Sequence, residues 1–123
     1  MSKFMRVKSM LVLVLSAAML LGVAAPAYAA SKPSASIAVI KKVAKAHKLG
    51  AADTAALLKL AKRESNYNPY ARNGSCLGLF QLKTKSKQWS HASVNTALAI
   101  KYIKHRYGTP RKALAHSYKY GWY

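Results

Sequence analysis

Acidic side chains are almost absent from this sequence. Its 123 residues include 21 lysines and arginines but only two acidic residues, which gives a formal net charge of +19. The acidic residues are Asp53 and Glu64. Any chemistry that needs a pair of carboxylates would therefore have to use both of them.

Cysteine and grouped metal ligands are also scarce. Cys76 is the single cysteine, so an intramolecular disulfide bond is excluded. Small exported domains often carry disulfides, so either the core is sufficient alone or Cys76 pairs between chains. The histidines show no spacing typical of metal ligands, and we expect neither a metal nor a cofactor. These histidines are His47, His91, His105 and His116.

The longest apolar run lies near the N-terminus. Three basic residues in the first eight precede a nearly apolar stretch, Met10–Ala25. This stretch is shorter than the roughly 20 residues of a membrane-spanning helix. Ala27-Tyr28-Ala29 then matches the small-x-small pattern of a signal-peptidase site. The pattern predicts an exported protein without stable membrane insertion after cleavage.

We divide the chain into a signal peptide at 1–29, a flexible lead at 30–36 and one domain at 37–123. Loss of the signal peptide would leave 18 of the 21 basic residues against both acidic ones. Repulsion among so many like charges opposes a compact state, and an anionic partner would relieve it. Export favours anionic cell-wall polymers over nucleic acid. The predicted location is secreted, at a bacterial cell wall.

Hydrophobic periodicity predicts four helices and no clear strand. Their expected bounds are about Ser36–His47, Asp53–Ser65, Val94–Tyr107 and Pro110–Tyr118. Asp53, Ser93 and Thr109 are the expected N-caps. Turn residues between the second and third helices allow a brief hairpin around 78–83. The fold class is therefore all-α, or α with minimal β.

Glu64 lies on the apolar side of the second predicted helix. At 100° per residue it projects between Leu60 and Ala61, in line with Leu57. We expect desolvation and the helix C-terminus to raise the pKa of this carboxyl. A carboxylic acid that stays protonated near neutral pH can donate a proton to a glycosidic oxygen. In the alternative interpretation, the apolar stripe ends before Glu64 and the side chain reaches solvent.

Three short motifs follow in order: Glu64-Ser65, Asn68-Pro69-Tyr70-Ala71 and Gly78-Leu79-Phe80-Gln81. Together they resemble the lytic transglycosylase-like branch of the lysozyme superfamily. In that family a helix ends in Glu-Ser, an Asn-Pro-x-Ala turn follows and Gly-Leu-x-Gln completes the motif. The segments Arg106–Pro110 and Gly121–Tyr123 are similar to those of small secreted cell-surface proteins and phage-associated lysins of this group.

The resemblance extends from about Ala51 onward and implies a small lysozyme-like helical domain with a substrate cleft. It implies cleavage of the β-1,4 bond between N-acetylmuramic acid and N-acetylglucosamine in peptidoglycan glycan strands. Glu64 matches the catalytic glutamate, and Ser65 matches the serine that supports it by hydrogen bonding. Gln81 matches a glutamine that lines the cleft, and Gly78 matches a glycine that lets the glycan approach the backbone.

The sequence departs from the family pattern in two places. Many relatives have an Ala-Tyr-Asn motif whose tyrosine faces the glutamate; the nearest candidates here are Tyr118 and Tyr120, without the asparagine. Relatives with a cysteine near the position of Cys76 often have a partner by the Gly-Thr-Pro turn, and this chain lacks it. Tyr118 is a candidate substrate-binding residue, as is Trp122, whose ring is expected to stack on a sugar.

Other functions fit the same sequence. A hydrolytic muramidase would use the same glutamate with water. A non-catalytic protein that binds cell walls or promotes aggregation would use the cationic surface alone. A cationic membrane-active protein is a third alternative, although the ordered helix caps and the motif argue against it.

Overall fold

The computed structural model describes residues 32–123, where it has four helices and one short hairpin. The elements are α1 (Pro33–Ala46), α2 (Ala51–Ser65), β1 (Arg72–Asn73), β2 (Cys76–Leu77), α3 (Ala92–Arg106) and α4 (Pro110–Tyr120). This architecture confirms the predicted class, all-α with minimal β. The predicted signal peptide lies outside the described residues.

Helix α1 begins earlier than predicted. Pro33 occupies its first turn, where the fixed φ of proline suits a helix and the missing N–H costs nothing. Ser36 is already buried at 3% exposure. Residues 33–36 of the expected flexible lead are therefore helical. The predicted apolar side is confirmed by Ile40 and Ala44, which are fully buried.

Helix α2 also begins earlier, and Asp53 is not its N-cap. Gly50 is the N-cap residue, without a side-chain hydrogen bond, and Asp53 lies in the first turn. The Asp53 carboxylate accepts hydrogen bonds from Arg111 Nε at 3.0 Å and from the Arg111 backbone N–H at 3.3 Å. Asp53 thus connects the beginning of α2 to the beginning of α4.

The other two predicted caps had different outcomes. Ser93 was predicted wrongly: α3 begins at Ala92, and its N-cap is His91 without a side-chain cap. Thr109 is confirmed, because its hydroxyl accepts a hydrogen bond from the Lys112 backbone N–H at 3.2 Å. Pro110 at the first helical position fixes this helix start.

The hairpin lies before the predicted position. Strands β1 and β2 are antiparallel, with Arg72 opposite Leu77 and Asn73 opposite Cys76. A further isolated bridge pairs Leu77 with Leu82, and of these two residues only Leu82 lies in the range where the hairpin was expected. The chain therefore folds back twice over a short stretch directly after α2.

The core lies between the four helices and the segment that follows β2. Helix α4 packs on α2, α3 packs on α1 and α4, and α1 packs on α2. Fully buried members of the core include Leu57, Leu60, Leu79, Phe80 and Ile103. Between residues 32 and 123 no helix is long and apolar enough to span a bilayer.

Candidate functional site

Glu64 lies in the last turn of α2 with 3% of its surface exposed. The apolar stripe that carries it is fully buried at Leu57, Leu60 and Ala61. The sequence prediction that Glu64 projects on the core side is therefore confirmed, and the alternative of a solvated side chain is wrong.

The chain turns sharply directly after this glutamate. Asn66 ends the helix in the left-handed conformation with φ of 52°, and Tyr67 follows with φ of 63°. Asparagine tolerates this conformation, whereas it is uncommon for an aromatic residue. Asn68 is buried, and its Oδ1 accepts a hydrogen bond from the Tyr70 N–H at 2.9 Å. This turn directs the chain back along the end of α2.

Ser65 connects the end of α2 to the segment after β2. Its Oγ lies 2.8 Å from the Leu79 carbonyl oxygen and 3.1 Å from the Ala61 carbonyl oxygen, and the hydroxyl donates. The side chain is 1% exposed. Ser65 therefore fixes the backbone next to Glu64 against the segment that follows β2.

Gly78 is required by its protein neighbours. It has φ of +80°, and an added Cβ would overlap the Asn95 side chain and lie 2.7 Å from the Trp89 carbonyl oxygen. Asn95 is fully buried; its Oδ1 accepts from the Phe80 N–H at 2.9 Å, and its Nδ2 donates to the Leu77 carbonyl at 3.1 Å. The small size of Gly78 thus serves packing, while its predicted contact with glycan stays a prediction.

Gln81 holds the same segment through its amide. Its Nε2 donates to the carbonyls of Gly78 at 3.0 Å and Ala71 at 3.2 Å. Its Oε1 accepts from Asn73 Nδ2 at 3.3 Å. Although 2% exposed, Gln81 borders a surface pocket of about 220 Å³, together with Thr84, Leu98, Tyr102, Tyr123 and others.

Tyr102 and Tyr123 are site residues that sequence reasoning missed. The Tyr123 hydroxyl donates to the Phe80 carbonyl at 2.7 Å, and the two tyrosine rings lie 5.8 Å apart. Burial raises the pKa of Tyr123 well above its ordinary value, and the charge of nearby Glu64 raises it further. Burial also raises the pKa of Tyr102 to about 12, with smaller contributions from Tyr107 and Glu64. Both phenols therefore stay protonated at neutral pH, and the charge of Glu64 contributes to the raised pKa of each.

The two predicted aromatic binding residues lie in different surroundings. Tyr118 is 59% exposed, and the guanidinium carbon of Arg63 lies 4.7 Å from its ring centre. Trp122 is 4% exposed; its ring packs edge-on to His116 at 4.7 Å and beneath Arg106 at 5.1 Å. The Trp122 ring is thus covered by protein, contrary to the expectation of a face open to sugar.

No protein-family model, curated protein or solved structure matches the chain. Among residues 32–123, no three His, Cys, Asp or Glu side chains group closely enough to hold a metal ion. The candidate site therefore consists of Glu64, the hydrogen-bonded segment around Ser65 and Gln81, and the two tyrosines whose pKa the charge of Glu64 raises.

Proposed function

We propose that the chain is a lytic transglycosylase with a lysozyme-like fold, which cleaves the β-1,4 bond between N-acetylmuramic acid and N-acetylglucosamine. Glu64 is its catalytic acid. The observation that carries the proposal is the burial of Glu64, which is 3% exposed at the end of a helix. It begins the series of motifs Glu-Ser, Asn-Pro-x-Ala and Gly-Leu-x-Gln.

The first step is protonation of the leaving oxygen. Burial disfavours the charged form of a carboxyl, and the negative end of the α2 dipole acts in the same direction. Protonated Glu64 donates its proton to the glycosidic oxygen as the bond to the muramic C1 breaks. The leaving strand then ends in a free 4-hydroxyl.

No second acidic side chain lies within range. Asp53 is eleven residues from Glu64 on the same helix, about 16 Å along the axis. Glycosidases with two carboxyl groups hold them about 5 to 9.5 Å apart. Asp53 is also engaged with Arg111 at 3.0 Å. The site must therefore complete the reaction with Glu64 alone.

One carboxylate is sufficient when the substrate itself supplies the stabilising group and the nucleophile. The acetamido group of the muramic residue stabilises the oxocarbenium-like state. Glu64, now ionised, takes the proton of the muramic 6-hydroxyl as that oxygen bonds to C1. The product is a 1,6-anhydro sugar, and Glu64 is again protonated. The low exposure of the glutamate favours this internal attack over attack by water.

In this mechanism the glycan occupies the surface pocket of about 220 Å³ that follows β2 and adjoins α3. Tyr102 and Tyr123 border that pocket, and Glu64 acts electrostatically on both. Gln81 contributes an edge of the same pocket. A sugar ring in that pocket would contact the two tyrosine rings.

Digestion of purified peptidoglycan tests the proposal. The wild-type protein should release fragments with 1,6-anhydromuramic ends, detected by mass spectrometry. Glu64→Gln should reduce the rate by about 10²- to 10⁴-fold, the usual contribution of a general acid. Asp53→Asn, which removes the other carboxylate of α2, is the matched control and should stay active.

Each alternative result identifies a different function. Reducing ends in place of anhydro ends would identify a hydrolytic muramidase. Equal digestion by Glu64→Gln and wild type would end the assignment of Glu64. Tight wall binding without any digestion would favour the non-catalytic wall-binding function, which the excess of basic residues supports.

A further inference from the structure

A second hollow of about 380 Å³ lies between the C-terminal end of α1 and the outer side of α3. Its lining is His47, Ala97, Leu98, Ile100, Lys101 and Lys104. Leu98 borders this hollow and also the first pocket, which Tyr102 and Tyr123 line. The two depressions are therefore neighbours, separated by one leucine of α3.

The floor and the rim of this hollow differ in chemistry. Ala97, Leu98 and Ile100 form an apolar floor, in which Ile100 is 1% exposed. Lys101 and Lys104, one helical turn apart on α3, form an exposed cationic rim. An apolar floor with a cationic rim suits a ligand that has both methyl groups and carboxylates.

The chain provides no acidic side chain for this rim. In the part that the structure describes, the acidic residues are Asp53 and Glu64. Asp53 is engaged with Arg111 at the beginning of α2, and Glu64 is 3% exposed. The charges of Lys101 and Lys104 are therefore available to an anion from outside.

We propose that this hollow binds the acidic peptide attached to a peptidoglycan glycan strand. This rests on the proposed function, and it makes peptide-substituted glycan the preferred substrate. A peptide that branches from a sugar in the first pocket would cross Leu98 to reach the floor. Its alanine methyl groups would contact Ala97 and Ile100, and its carboxylates would face the lysines. A phosphodiester polymer would use the lysines but leave the apolar floor uncovered.

Calorimetric titration with a synthetic acidic alanine-containing tetrapeptide tests this binding without any cleavage. Lys101→Gln with Lys104→Gln should weaken binding about three- to tenfold, as expected for two exposed ion pairs. The matched control is Lys59→Gln with Lys62→Gln, also exposed lysines one turn apart, on α2. It should change affinity by less than about twofold, since distant charges are screened.

A second variant tests the floor without changing charge. Ala97→Phe should fill the hollow and weaken peptide binding at least as much as the rim variant. On glycan strands stripped of peptide, the rim variant should cleave at the wild-type rate, whereas on peptide-bearing strands it should be slower. Circular dichroism at the assay temperature checks that every variant is folded.

The proposal is overturned if the tetrapeptide does not bind, if both lysine pairs weaken binding equally, or if Ala97→Phe has no effect. Displacement of bound tetrapeptide by poly(glycerol phosphate) but not by peptide-bearing glycan would assign the hollow to that polymer instead. Failure of the proposed function has a different signature. In that case the peptide binds as described, while wild-type protein releases no anhydro fragments.

Discussion

The two ends of α2 hold the only acidic side chains between residues 32 and 123, in opposite surroundings. At the N-terminal end, Asp53 has 17% of its side chain exposed and is paired with Arg111 at 3.0 Å. At the C-terminal end, Glu64 is 3% exposed, and its charge contributes to the raised pKa of the buried Tyr123. The same functional group is therefore ion-paired at one end and removed from solvent at the other.

The difference follows from position on the helix. Asp53 lies in the first turn, where the dipole favours a negative charge, and on a side that reaches α4. Glu64 lies in the last turn, where the dipole disfavours that charge, and on the apolar stripe. Helix position thus separates an ion-paired carboxylate from a desolvated one.

The largest expected effect is on catalysis. Glu64→Gln should abolish most glycan cleavage while leaving the free energy of unfolding within about 1 kcal/mol, since the amide has the same shape. Asp53→Asn should leave the rate of glycan cleavage unchanged and lower the free energy of unfolding. Paired rate and urea-unfolding measurements check this. If the two substitutions lower the rate equally, the contrast between the carboxylates is wrong.

The next largest effect is on stability, and it concerns the segment after β2 that is hydrogen-bonded to the C-terminal end of α2. Gly78→Ala should lower the free energy of unfolding by about 2–4 kcal/mol, from overpacking against Asn95 and from its positive φ. Gly74→Ala is the matched control, because φ is +60° there but nothing lies within 4 Å of the added Cβ. It should cost about 1 kcal/mol.

Urea unfolding of both glycine variants gives the comparison. Equal losses would mean that Asn95 can move away and that its packing against Gly78 does not hold the segment. A loss at Gly78 alone, together with slower cleavage, would connect this packing to the position of Glu64.

Tyr123→Phe should have an intermediate effect. It removes the donor to the Phe80 carbonyl and leaves that buried oxygen without this partner, which costs about 1–2 kcal/mol. Cleavage should also slow, because Tyr123 borders the pocket proposed to hold the glycan. Tyr118→Phe is the control on an exposed ring and should change stability by less than about 0.5 kcal/mol. A larger rate loss at Tyr118 would transfer the substrate-facing role to that residue.

The tyrosines at the Glu64 end also predict a response to alkali. The pKa of Tyr102 is raised to about 12 in the folded protein, above an unfolded value of about 10. Its stabilising contribution is therefore complete below about pH 10 and is lost as pH rises towards 12. Unfolding measured between pH 9 and about 12 should show a shallower decline for Tyr102→Phe than for wild type. Identical slopes would contradict this.

The sequence predicted elements with a strong period and missed contacts between distant residues. Helix positions and the burial of Glu64 follow from 100° per residue, which is a local property. Asn95 and Tyr123 were missed because their hydrogen bonds to Phe80 span 15 and 43 residues. Asp53 resembled an N-cap by residue type, but its actual partner, Arg111, is 58 residues away.

The same limit explains Trp122 and Gly78. Aromatic residue type predicted a sugar-binding face, whereas His116 and Arg106 cover that ring through packing that no local pattern encodes. Turn chemistry located Gly78 correctly, but the reason for a glycine there is the side chain of Asn95. Residue types identified which positions matter, and tertiary contacts determined what each one does.

The smallest expected effect is at the Asp53 end. Arg111→Gln should lower the free energy of unfolding by only about 0.2–1 kcal/mol, because the arginine is exposed and its backbone N–H still donates to Asp53. The loss should shrink in 1 M salt, where charges are screened within about 3 Å. Lys112→Gln, the neighbouring exposed cation, is the control for net charge. Cleavage should be unchanged in both variants, since neither cation lies near Glu64 along α2.

A double-mutant cycle with Asp53→Asn isolates the interaction energy between Asp53 and Arg111. A coupling energy well above about 1 kcal/mol would mean that the ion pair contributes more to stability than exposed pairs usually do. In that case Asp53 could not be replaced at low cost, and the contrast between the two carboxylates of α2 would be wrong.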